Sequence, residues 1–508
     1  MTTDLFVQAH SLFTNGLVDS CMILTSTLMQ NQQTRTPQVI ILYADCLVKN
    51  KEYLRSLKFY ETAFELLKNN SSKWVEQALN RYFDACIKAK QFDKLKAKFH
   101  EVPLQKLSIQ SLRQLLIVYD HASNIKSAIE CCKQILRLQP LAIEIAIKLL
   151  EYGVSMNEVL PYLDKNQFML DYCSANYNSL QCSFDNAIYG FKSLEQNMKG
   201  DCDIMSKLAV TYKNSGDYFA ALSVFRKIRM IDPFYVKGMD HYGQIYQEQG
   251  RIQDLQRLID DLISFAMESC ETWILLSLLS LIKCDYPQAS NHIDKALEIN
   301  SLHMLSYQIK GEIMLAVGNP NAACLSYRKA YRLSRDIINY EGLVLCYLSL
   351  NRNNEALRLS QEALTLFPKS SIAVYLSGLV SSQDYEKAQT LFEKSIQMDL
   401  KCIKPLLALS DLHLKNGEPQ KAIEIIQSHL AHHPVHTIHL KLGYLFFQQE
   451  DWANSRYHYN AALSMFPESE VAQTGLADIE KAINGSGEED GDLESEDEGD
   501  MEANVFDG

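Results

Sequence analysis

The fold of this chain is decided by residues 202–233, CDIMSKLAVTYKNSGDYFAALSVFRKIRMIDP. Two stretches with apolar residues at helical spacing flank the polar turn Asn214–Asp217, and a proline closes the second stretch. With Cys202 as position 1, large residues occupy positions 4, 7, 11 and 24, alanine position 20 and proline position 32, which are Met205, Leu208, Tyr212, Phe225, Ala221 and Pro233. The segment therefore predicts two antiparallel helices joined by a tight turn.

The same pattern recurs along the chain with a period of 32–34 residues. Alanine returns at position 20, at intervals of 68, 34, 33, 32 and 34 residues, as Ala221, Ala289, Ala323, Ala356, Ala388 and Ala422. Position 27 gives Ala296, Ala330, Ala363 and Ala462, and position 8 gives Gly243, Gly311 and Gly443. Small residues are needed where two helices cross closely, because larger side chains push their axes apart. The packing residues predicted on this basis include Ala221, Gly243, Ala289 and Ala323.

A helical pair repeated about every 34 residues, with these small positions, is the layout of the tetratricopeptide repeat (TPR). Prolines end the second helices at Pro140, Pro233, Pro368, Pro434 and Pro467. Bulky residues expected to fill the space between neighbouring pairs are Trp273, Tyr327, Phe392 and Tyr459. Because one pair cannot bury its apolar face alone, the pairs must stack. The sequence thus predicts an all-α TPR superhelical solenoid of about 14 helix pairs.

The repeats are less regular toward the N-terminus. Residues that fit a repeat beginning at Pro37 are Ala44, Ser56, Tyr60 and Ala63, and a later repeat is marked by Tyr119, Ala128 and Pro140. Residues 74–103 predict a further pair, and residues 141–200 predict irregular ones. A single cap helix is expected over residues 469–483. We therefore divide the chain into irregular repeats (1–200), a regular superhelix with its cap (201–483) and a tail (484–508).

The acidity of the chain is concentrated in the tail. The formal net charge is −13, and residues 484–508 hold 11 acidic residues and no Lys or Arg, which leaves 49 basic against 51 acidic residues elsewhere. Such a segment has too little apolar surface to fold, so a disordered, solvated acidic C-terminal tail is expected. Ser486 and Ser495 precede acidic residues and are candidate sites for acid-directed kinases.

Several function classes find no support in the sequence. The body has no basic stripe for nucleic acid, and its longest apolar run, residues 273–282, is half the length of a membrane span. The first basic residue is Arg35, so no secretory signal is expected. Phosphate-binding loops, nucleophile elbows and H-E-x-x-H helices are missing. We predict no catalytic, cofactor-binding or metal residues, no cofactor and no enzyme activity.

The cysteines and histidines have ordinary interpretations. Thirteen cysteines without a C-x-x-C pair favour small core residues in a reducing compartment. A histidine cluster surrounds Pro434 and consists of His429, His432, His433, His436 and His439. Because the proline breaks the helix inside this cluster, a solvated helix end and turn is favoured over a metal site.

In TPR proteins, positions 5 and 9 of the first helix face a concave groove. One groove class grips a chaperone carboxylate with Lys at position 5 and Asn at position 9. No repeat of this chain has Lys at position 5 together with Asn at position 9, so a groove that binds a chaperone carboxylate is not expected. The residues at positions 5 and 9 are Ile41/Asp45, Ser206/Val210, Asp240/Gln244, Ile274/Leu278, Gln308/Glu312, Glu341/Leu345, Leu407/Asp411 and Leu440/Tyr444. An apolar groove covered by a partner is predicted near residues 274–282 and 345–348. Acidic groove positions that could instead pair with an arginine are Asp240, Glu312, Glu341 and Asp411.

Residues 230–243, MIDPFYVKGMDHYG, resemble the segment D-P-[YF]-x-x-K-G-M-D-x-Y of TPR subunits of the anaphase-promoting complex. Further stretches that resemble the subunit 7 branch of that family are Tyr43–Asp45, Lys51–Tyr53, Tyr340–Leu343 and the acidic tail. The resemblance runs over essentially the whole chain, and the motif at residues 232–242 is its most specific part.

This resemblance implies a non-catalytic scaffold in a multi-subunit ubiquitin ligase that controls mitotic progression. Such subunits form homodimers through their N-terminal repeats and stack on sibling TPR subunits, and related siblings capture the Ile-Arg tails of activator proteins. Location in the nucleus and cytoplasm is expected. The alternatives are a TPR adaptor of another assembly, in transport or with chaperones, and an enzyme with an unrecognised site.

Overall fold

The computed structural model describes residues 2–67, 73–94, 107–122, 124–164, 166–430, 435–467 and 469–485, and every regular element in them is helical. The helices are α1 Thr2–Thr14, α2 Val18–Gln30, α3 Pro37–Lys49, α4 Tyr53–Leu66, α5 Lys73–Lys88, α6 Ile109–His121, α7 Ile125–Leu138, α8 Ile143–Glu151, α9 Met156–Val159, α10 Gln167–Leu180, α11 Phe184–Asn197, α12 Cys202–Asn214, α13 Tyr218–Ile231 and α14 Met239–Glu248. They continue with α15 Ile252–Ala266, α16 Cys270–Ile282, α17 Tyr286–Ile299, α18 Met304–Ala316, α19 Pro320–Leu333, α20 Ile337–Ser349, α21 Asn353–Leu366, α22 Ser371–Val380, α23 Tyr385–Met398, α24 Lys404–Lys415, α25 Pro419–Leu430, α26 His436–Gln448, α27 Trp452–Met465 and α28 Glu470–Gly485.

The described helices form fourteen consecutive pairs followed by the single helix α28, which confirms the predicted all-α TPR solenoid. The third pair is α5 with the helical residues 92–94, and the fifth is α8 with α9 and the 3-10 turn Leu160–Tyr162. We call the first helix of each pair the A helix and the second the B helix. Helix α28 is the predicted cap, since Ala472 and Ile479 are buried and the helix packs on α26 and α27.

Contacts divide the chain into two compact units. The first unit comprises residues 1–152 and 159–164, and the second comprises residues 153–158 and 165–508. The division predicted at residues 200 and 483 stays a prediction. The expectation of irregular pairs throughout residues 141–200 is wrong in part. Only α8 and α9 are short, with nine and four residues, whereas α10 and α11 have 14 residues each and form a regular pair.

The small residues of the repeat lie where A and B helices meet. Ala221, Ala289 and Ala323 have no exposed surface, and the same holds for the position-27 alanines Ala296, Ala330, Ala363 and Ala462. A Cβ atom at Gly243 would lie 2.0 Å from Cδ2 of Leu275, which no side chain could tolerate without movement of that leucine. The four predicted packing residues are therefore confirmed as points of close helix approach.

Replacing Ala289 by leucine should lower the melting temperature. Ala289 is fully buried, and its carbonyl accepts a hydrogen bond from the Ser277 hydroxyl at 2.9 Å across the α16–α17 pair. A leucine there would force the two helices apart at a cost of about 1–3 kcal/mol. Asn291→Leu, on an exposed position of the same helix, is the control and should melt close to the parent chain in differential scanning calorimetry. Equal melting of both variants would contradict the assigned repeat register.

Aromatic side chains at position 24 sit against glycines of the neighbouring A helices. The Tyr327 ring lies between Gly311 on α18 and Gly342 on α20, where added Cβ atoms would approach it to 2.4 and 2.3 Å. Phe392 lies against Gly378 in the same way, and Tyr459 lies against Gly443 and Gly475. Tyr327 and Tyr459 thus fill space between neighbouring A helices as predicted, whereas the glycine beside Phe392 belongs to its own pair.

Trp273 is half-buried and contacts two neighbouring pairs. Its indole N–H donates at 3.0 Å to the carbonyl of Met267, the residue that follows α15 of the preceding pair, and Lys295 on α17 of its own pair lies 4.4 Å above its ring. These contacts agree with the prediction that Trp273 lies between neighbouring pairs, at position 4 of α16 near the start of the helix.

Helix ends follow local chemistry that recurs from pair to pair. Four of the predicted closing prolines, Pro140, Pro233, Pro368 and Pro467, each stand two residues beyond the end of a B helix, and Pro434 lies outside the described residues. Several B helices begin after an Asp or Asn whose side chain accepts from the backbone N–H three residues on; these caps are Asp217, Asp285, Asn319, Asp384 and Asp451. Such caps satisfy N–H groups that the helix itself leaves unpaired.

Residues distant in sequence touch within the second unit. The Phe466 ring lies so close to Gly250 that a Cβ atom there would be 2.7 Å from the ring. The Lys401 side chain similarly lies next to Gly216, 3.3 Å from the place of a Cβ. Both contacts join repeats that are about five to six units apart in sequence. The curvature of the stack therefore returns later repeats to the neighbourhood of earlier ones.

Candidate protein-binding groove

The residues predicted to face a groove are mostly buried at position 5 of the A helices. Those with less than one-tenth of their surface exposed are Ile41, Ser206, Asp240, Ile274, Gln308, Glu341 and Leu440. The predicted apolar surface at residues 274–282 and 345–348 is wrong. Ile274, Leu275 and Leu278 have no exposed surface, and Cys346 and Tyr347 are buried as well. A helix that is apolar on all sides, as α16 is, is buried between its neighbours rather than offered to solvent.

Two contacts between a basic and an acidic side chain link A helices that are two repeats apart in the second unit. Lys404 Nζ donates to Glu341 Oε1 at 2.7 Å, and His303 Nε2 lies 3.5 Å from Asp240 Oδ2. Both pairs are 63 residues apart in sequence. Only the inner side of a curved stack brings alternate A helices this close, so these contacts mark the inner wall of the groove. Glu341 and Asp240 are almost fully buried there.

One acidic group of this inner wall remains without a cation. Among the described residues, Glu312 makes no ion pair, although Lys213 and Lys404 are near enough to act on it electrostatically. Loss of surrounding water raises the pKa of Glu312, and the neighbouring Glu248 and Glu341 oppose its ionisation further. In addition, Asp240 Oδ1 is buried and has no hydrogen-bond partner. The Glu312 carboxyl group and the Oδ1 atom of Asp240 are therefore hydrogen-bond acceptors without a partner among the described residues.

A third contact between a basic and an acidic side chain occurs farther along the groove, where Lys441 Nζ donates to Asp411. Lys441 is 2% exposed, which is unusual for a lysine, whereas the Asp411 side chain is 42% exposed. Three of the four acidic residues proposed to receive an arginine therefore hold a basic side chain of this chain, and only Glu312 does not. Sequence reasoning missed these basic residues because it read positions 5 and 9, whereas Lys404 is at position 2 and Lys441 at position 6.

Hydrogen bonds to side-chain amides connect further A helices. Lys213 Nζ donates to Gln244 Oε1 at 2.6 Å, and the Gln308 amide donates to Asn339 Oδ1 at 2.8 Å. Asn339, which has no exposed surface, also donates to the Ser334 carbonyl. Hydrogen bonds between consecutive A helices fix their rotation, because each buried polar atom loses its partner if a helix turns.

The first unit holds an analogous buried network. Asp45, on α3, accepts from the Tyr60 hydroxyl and from Arg81 on α5. Burial raises the pKa of Asp45, and its bonds to Tyr60 and Arg81 act in the opposite direction. This predicted position-9 residue is thus already satisfied by its own chain, so it holds three helices together and offers no free acceptor.

The described histidines near residue 434 are not solvated, which corrects the prediction. His429 Nε2 lies 2.7 Å from the Leu400 carbonyl, and His436 Nε2 lies 3.2 Å from Ser469 Oγ. His439 and His458 are buried with their Nδ1 atoms 3.0 Å apart. His432 and His433 lie outside the described residues. In the part of the chain that the structure describes, no group of three His, Cys, Asp or Glu side chains is arranged to hold a metal ion.

The His439–His458 pair should make stability depend on pH. In the neutral pair one Nδ1 donates and the other accepts; burial lowers the pKa of both, and that of His458 falls to about 4, with His439 adding repulsion. Because the unfolded chain protonates near pH 6.5 and the folded pair does not, stability falls as the pH drops below 6.5. We expect a loss of about 2 kcal/mol between pH 7.5 and pH 5. His458→Asn, which keeps a hydrogen-bonding group at the Nδ1 position, should remove the part of the slope in denaturation curves that this pair contributes. His241, whose pKa burial also lowers to about 4, should keep its own part.

The cysteines match the predicted core role. All thirteen are free; nine are buried, and Cys284 is the exposed one. Burial raises the pKa of thiols such as Cys131 and Cys173, so none of these is activated as a nucleophile. Within the described residues, no helix combines the length and the apolar character needed to cross a bilayer.

Known proteins resemble this chain both in the repeat and over almost its whole length. A profile of the tetratricopeptide repeat matches residues 407–470. The anaphase-promoting complex subunit 7 of Dictyostelium discoideum is 25% identical over 500 residues, which cover 90% of this chain and 86% of that protein. The human subunit 7 is 25% identical over 95% of both chains. The chain is a relative of anaphase-promoting complex subunit 7.

Its similarity to subunit 7 extends across kingdoms, since the Arabidopsis thaliana protein is 25% identical over 94% of both chains. The fold agrees as well. A crystal structure described as the APC/C hetero-tetramer Cut9-Hcn1 superposes with a TM-score of 0.55 at 14% identity, covering 94% of this chain and 96% of that one. The resemblance to subunit 7 drawn from residues 230–243 and the tail is thereby confirmed.

Proposed function

We propose that this chain is a non-catalytic TPR scaffold subunit of the anaphase-promoting complex, a multi-subunit ubiquitin ligase that controls mitotic progression. The observation that carries the proposal is the similarity to subunit 7 proteins over 90–95% of the chain. In this role the chain organises sibling TPR subunits by protein–protein contacts. We place it in the nucleus and cytoplasm, where that complex would act.

The structure supports a binding role over a catalytic one. The described helices are all used by the repeat stack, and the polar side chains of the inner wall pair with one another across helices. A long stack with a continuous wall suits extended contact with other proteins. Polar networks of this kind fix the curvature that determines which partners fit.

Purification of a tagged copy from its own cells, followed by quantitative mass spectrometry, tests the proposal. Near-equal recovery of other TPR proteins with a cullin-like and a RING subunit is the expected result. Recovery of chaperones or transport factors alone would favour a TPR adaptor of another assembly. Turnover of a substrate by the isolated chain would contradict a purely structural role.

We further propose that the chain forms a homodimer through its N-terminal repeats. Five aliphatic side chains in the first two helix pairs are 54–67% exposed: Val7, Leu17, Ile23, Leu54 and Leu66. Association with a second copy would cover exposed apolar side chains of this kind. Ile23→Glu combined with Leu54→Glu should yield monomers in light scattering, whereas Phe219→Glu, at an 84% exposed site in the second unit, should leave the dimer intact.

We also propose that Glu312 is the residue that pairs with the arginine of an activator Ile-Arg tail. It is the groove acid without a cation among the described residues, so an arginine could pair with it. A labelled peptide ending in Ile-Arg should bind the parent chain and lose affinity at least fivefold, in order of magnitude, for Glu312→Gln. Binding that is equal in both chains would exclude this site.

A further inference from the structure

A basic pocket lies between two B helices of the second unit, away from the groove just described. It has a volume of about 360 Å³ and is formed by α19, α20 and α21. It is lined by three arginines, one acid and four tyrosine or leucine side chains: Arg328, Arg332, Arg358, Glu355, Tyr331, Tyr347, Leu343 and Leu359. Three guanidinium groups around one pocket are notable in a chain whose body carries a slight excess of acid.

The acidic side chains nearest to this pocket already have partners. Glu355 is held by Arg352 through two hydrogen bonds, of 3.0 Å from Nε and 2.6 Å from Nη2. Glu362 accepts from the hydroxyls of Tyr331 and Tyr340 at 3.1 and 2.8 Å, and Arg335 lies 3.9 Å from it. None of these hydrogen bonds involves Arg328 or Arg358.

Two of the pocket arginines, Arg328 and Arg358, have no hydrogen-bonded carboxylate among the described residues. Arg328 contacts only neutral groups, the Tyr347 hydroxyl at 3.2 Å and the Cys324 sulfur at 3.8 Å. Arg358 is exposed and makes no hydrogen bond or ion pair among the described residues, although it lies near enough to Glu355 to favour its ionisation. Planar guanidinium groups bind carboxylates through paired hydrogen bonds, and the Tyr and Leu side chains give the pocket an apolar floor. The pocket therefore has the chemistry to bind an acidic peptide.

We propose that this pocket binds the acidic C-terminal stretch of the same chain. Residues 488–502 contain ten acidic side chains and no basic one, and Leu493 and Met501 within this stretch are apolar. No other segment of the sequence matches that charge density. This proposal is independent of the assignment to a ubiquitin ligase, because it rests on the pocket and the stretch alone.

The distances allow the contact to form within one molecule. Three B helices and the cap separate α21 from Gly485, a path of at least about 40 Å at the usual 8–10 Å between packed helices. Glu502, the last residue of the acidic stretch, is 17 residues beyond Gly485 and can extend to about 56 Å from it, and a flexible chain of that length has a mean end-to-end distance of about 23 Å. The C-terminal part of the tethered acidic stretch can therefore reach the pocket within one molecule.

The test uses the full chain with a photo-reactive benzoyl-phenylalanine in place of Leu325, which is 62% exposed and one turn before Arg328 on α19. Irradiation followed by peptide mass spectrometry should show cross-links to residues 486–508. Mixing light and nitrogen-15-labelled chains separates links within one molecule from links between two. The expected links lie within one molecule and weaken in 500 mM salt, roughly as for any exposed ion pair.

Arg358→Glu should lower the cross-link yield by about fivefold, because it replaces an attractive charge by a repulsive one. Arg226→Glu, an equally exposed arginine on α13, is the matched control and should leave the yield unchanged. Absence of links to residues 486–508, an equal effect of both variants, or links only between different molecules would each overturn the proposal. The last outcome would assign the pocket to the tail of a second copy.

Discussion

Replacing Gly342 by alanine should destabilise the second unit by about 2 kcal/mol. In an exposed helix this change would stabilise by about 1 kcal/mol, because alanine is the better helix former. Here the new methyl group would lie 2.3 Å from the Tyr327 ring, and Gly311 closes the other side of that ring. Since the ring is buried and held on both sides, α20 must move, at a cost of about 3 kcal/mol. The steric cost therefore exceeds the gain in helix propensity.

The control is the same substitution in a Tyr327→Ala background. Without the ring, the alanine at position 342 has room and should stabilise that variant by about 1 kcal/mol through helix propensity alone. A reversal of sign between the two backgrounds, measured by chemical denaturation, is the specific result expected. The same sign in both would show that the Tyr327 ring does not set the cost.

Replacing Asp411 by asparagine should destabilise the C-terminal repeats by about 2 kcal/mol. Lys441 is 2% exposed, and the substitution keeps the shape of its partner while it removes the negative charge. Removing one partner of a buried ion pair typically costs about 3–5 kcal/mol. We expect less because the Asp411 side chain is 42% exposed, so that water can partly replace it.

Lys441→Met gives the matched comparison. An apolar side chain of similar length needs no partner, so this variant should stay within about 1 kcal/mol of the parent chain. Asp411→Asn should then cost little when added to Lys441→Met, and thermal melts of the four chains form a double-mutant cycle. Equal losses in both single variants would show that the ion pair itself stabilises the fold, and that the cost does not come from leaving the ammonium group unpaired.

The repeat architecture could be predicted from the sequence because it depends on residues that recur. Ala289 and Ala323 are both small because two helices approach closely at each of them. The interval of 34 residues between them shows that the same helix pair is repeated. Tyr327 and its flanking glycines follow the same logic. The residues at 167–197 were misjudged, because their pair is regular in length while lacking most signature residues.

The groove could not be predicted to the same degree. The stretch 274–282 was expected to be exposed because its positions face inward in other TPR proteins, whereas contacts between neighbouring A helices bury it. The pairing of Glu341 with Lys404 joins repeats 63 residues apart, and no local pattern indicates which of several lysines will meet which acid. The His439–His458 contact is equally a product of tertiary packing.

The contact between Phe466 and Gly250 changes how the second unit should respond to force and heat. In a linear array of repeats, terminal units fray independently, since each touches only its neighbours. A contact between repeats about six units apart ties the last pair to the middle of the array. Detaching the last pair then also breaks this contact across the coil. Under tension the second unit should therefore show one large initial rupture, when this contact breaks, before its repeats unfold one after another.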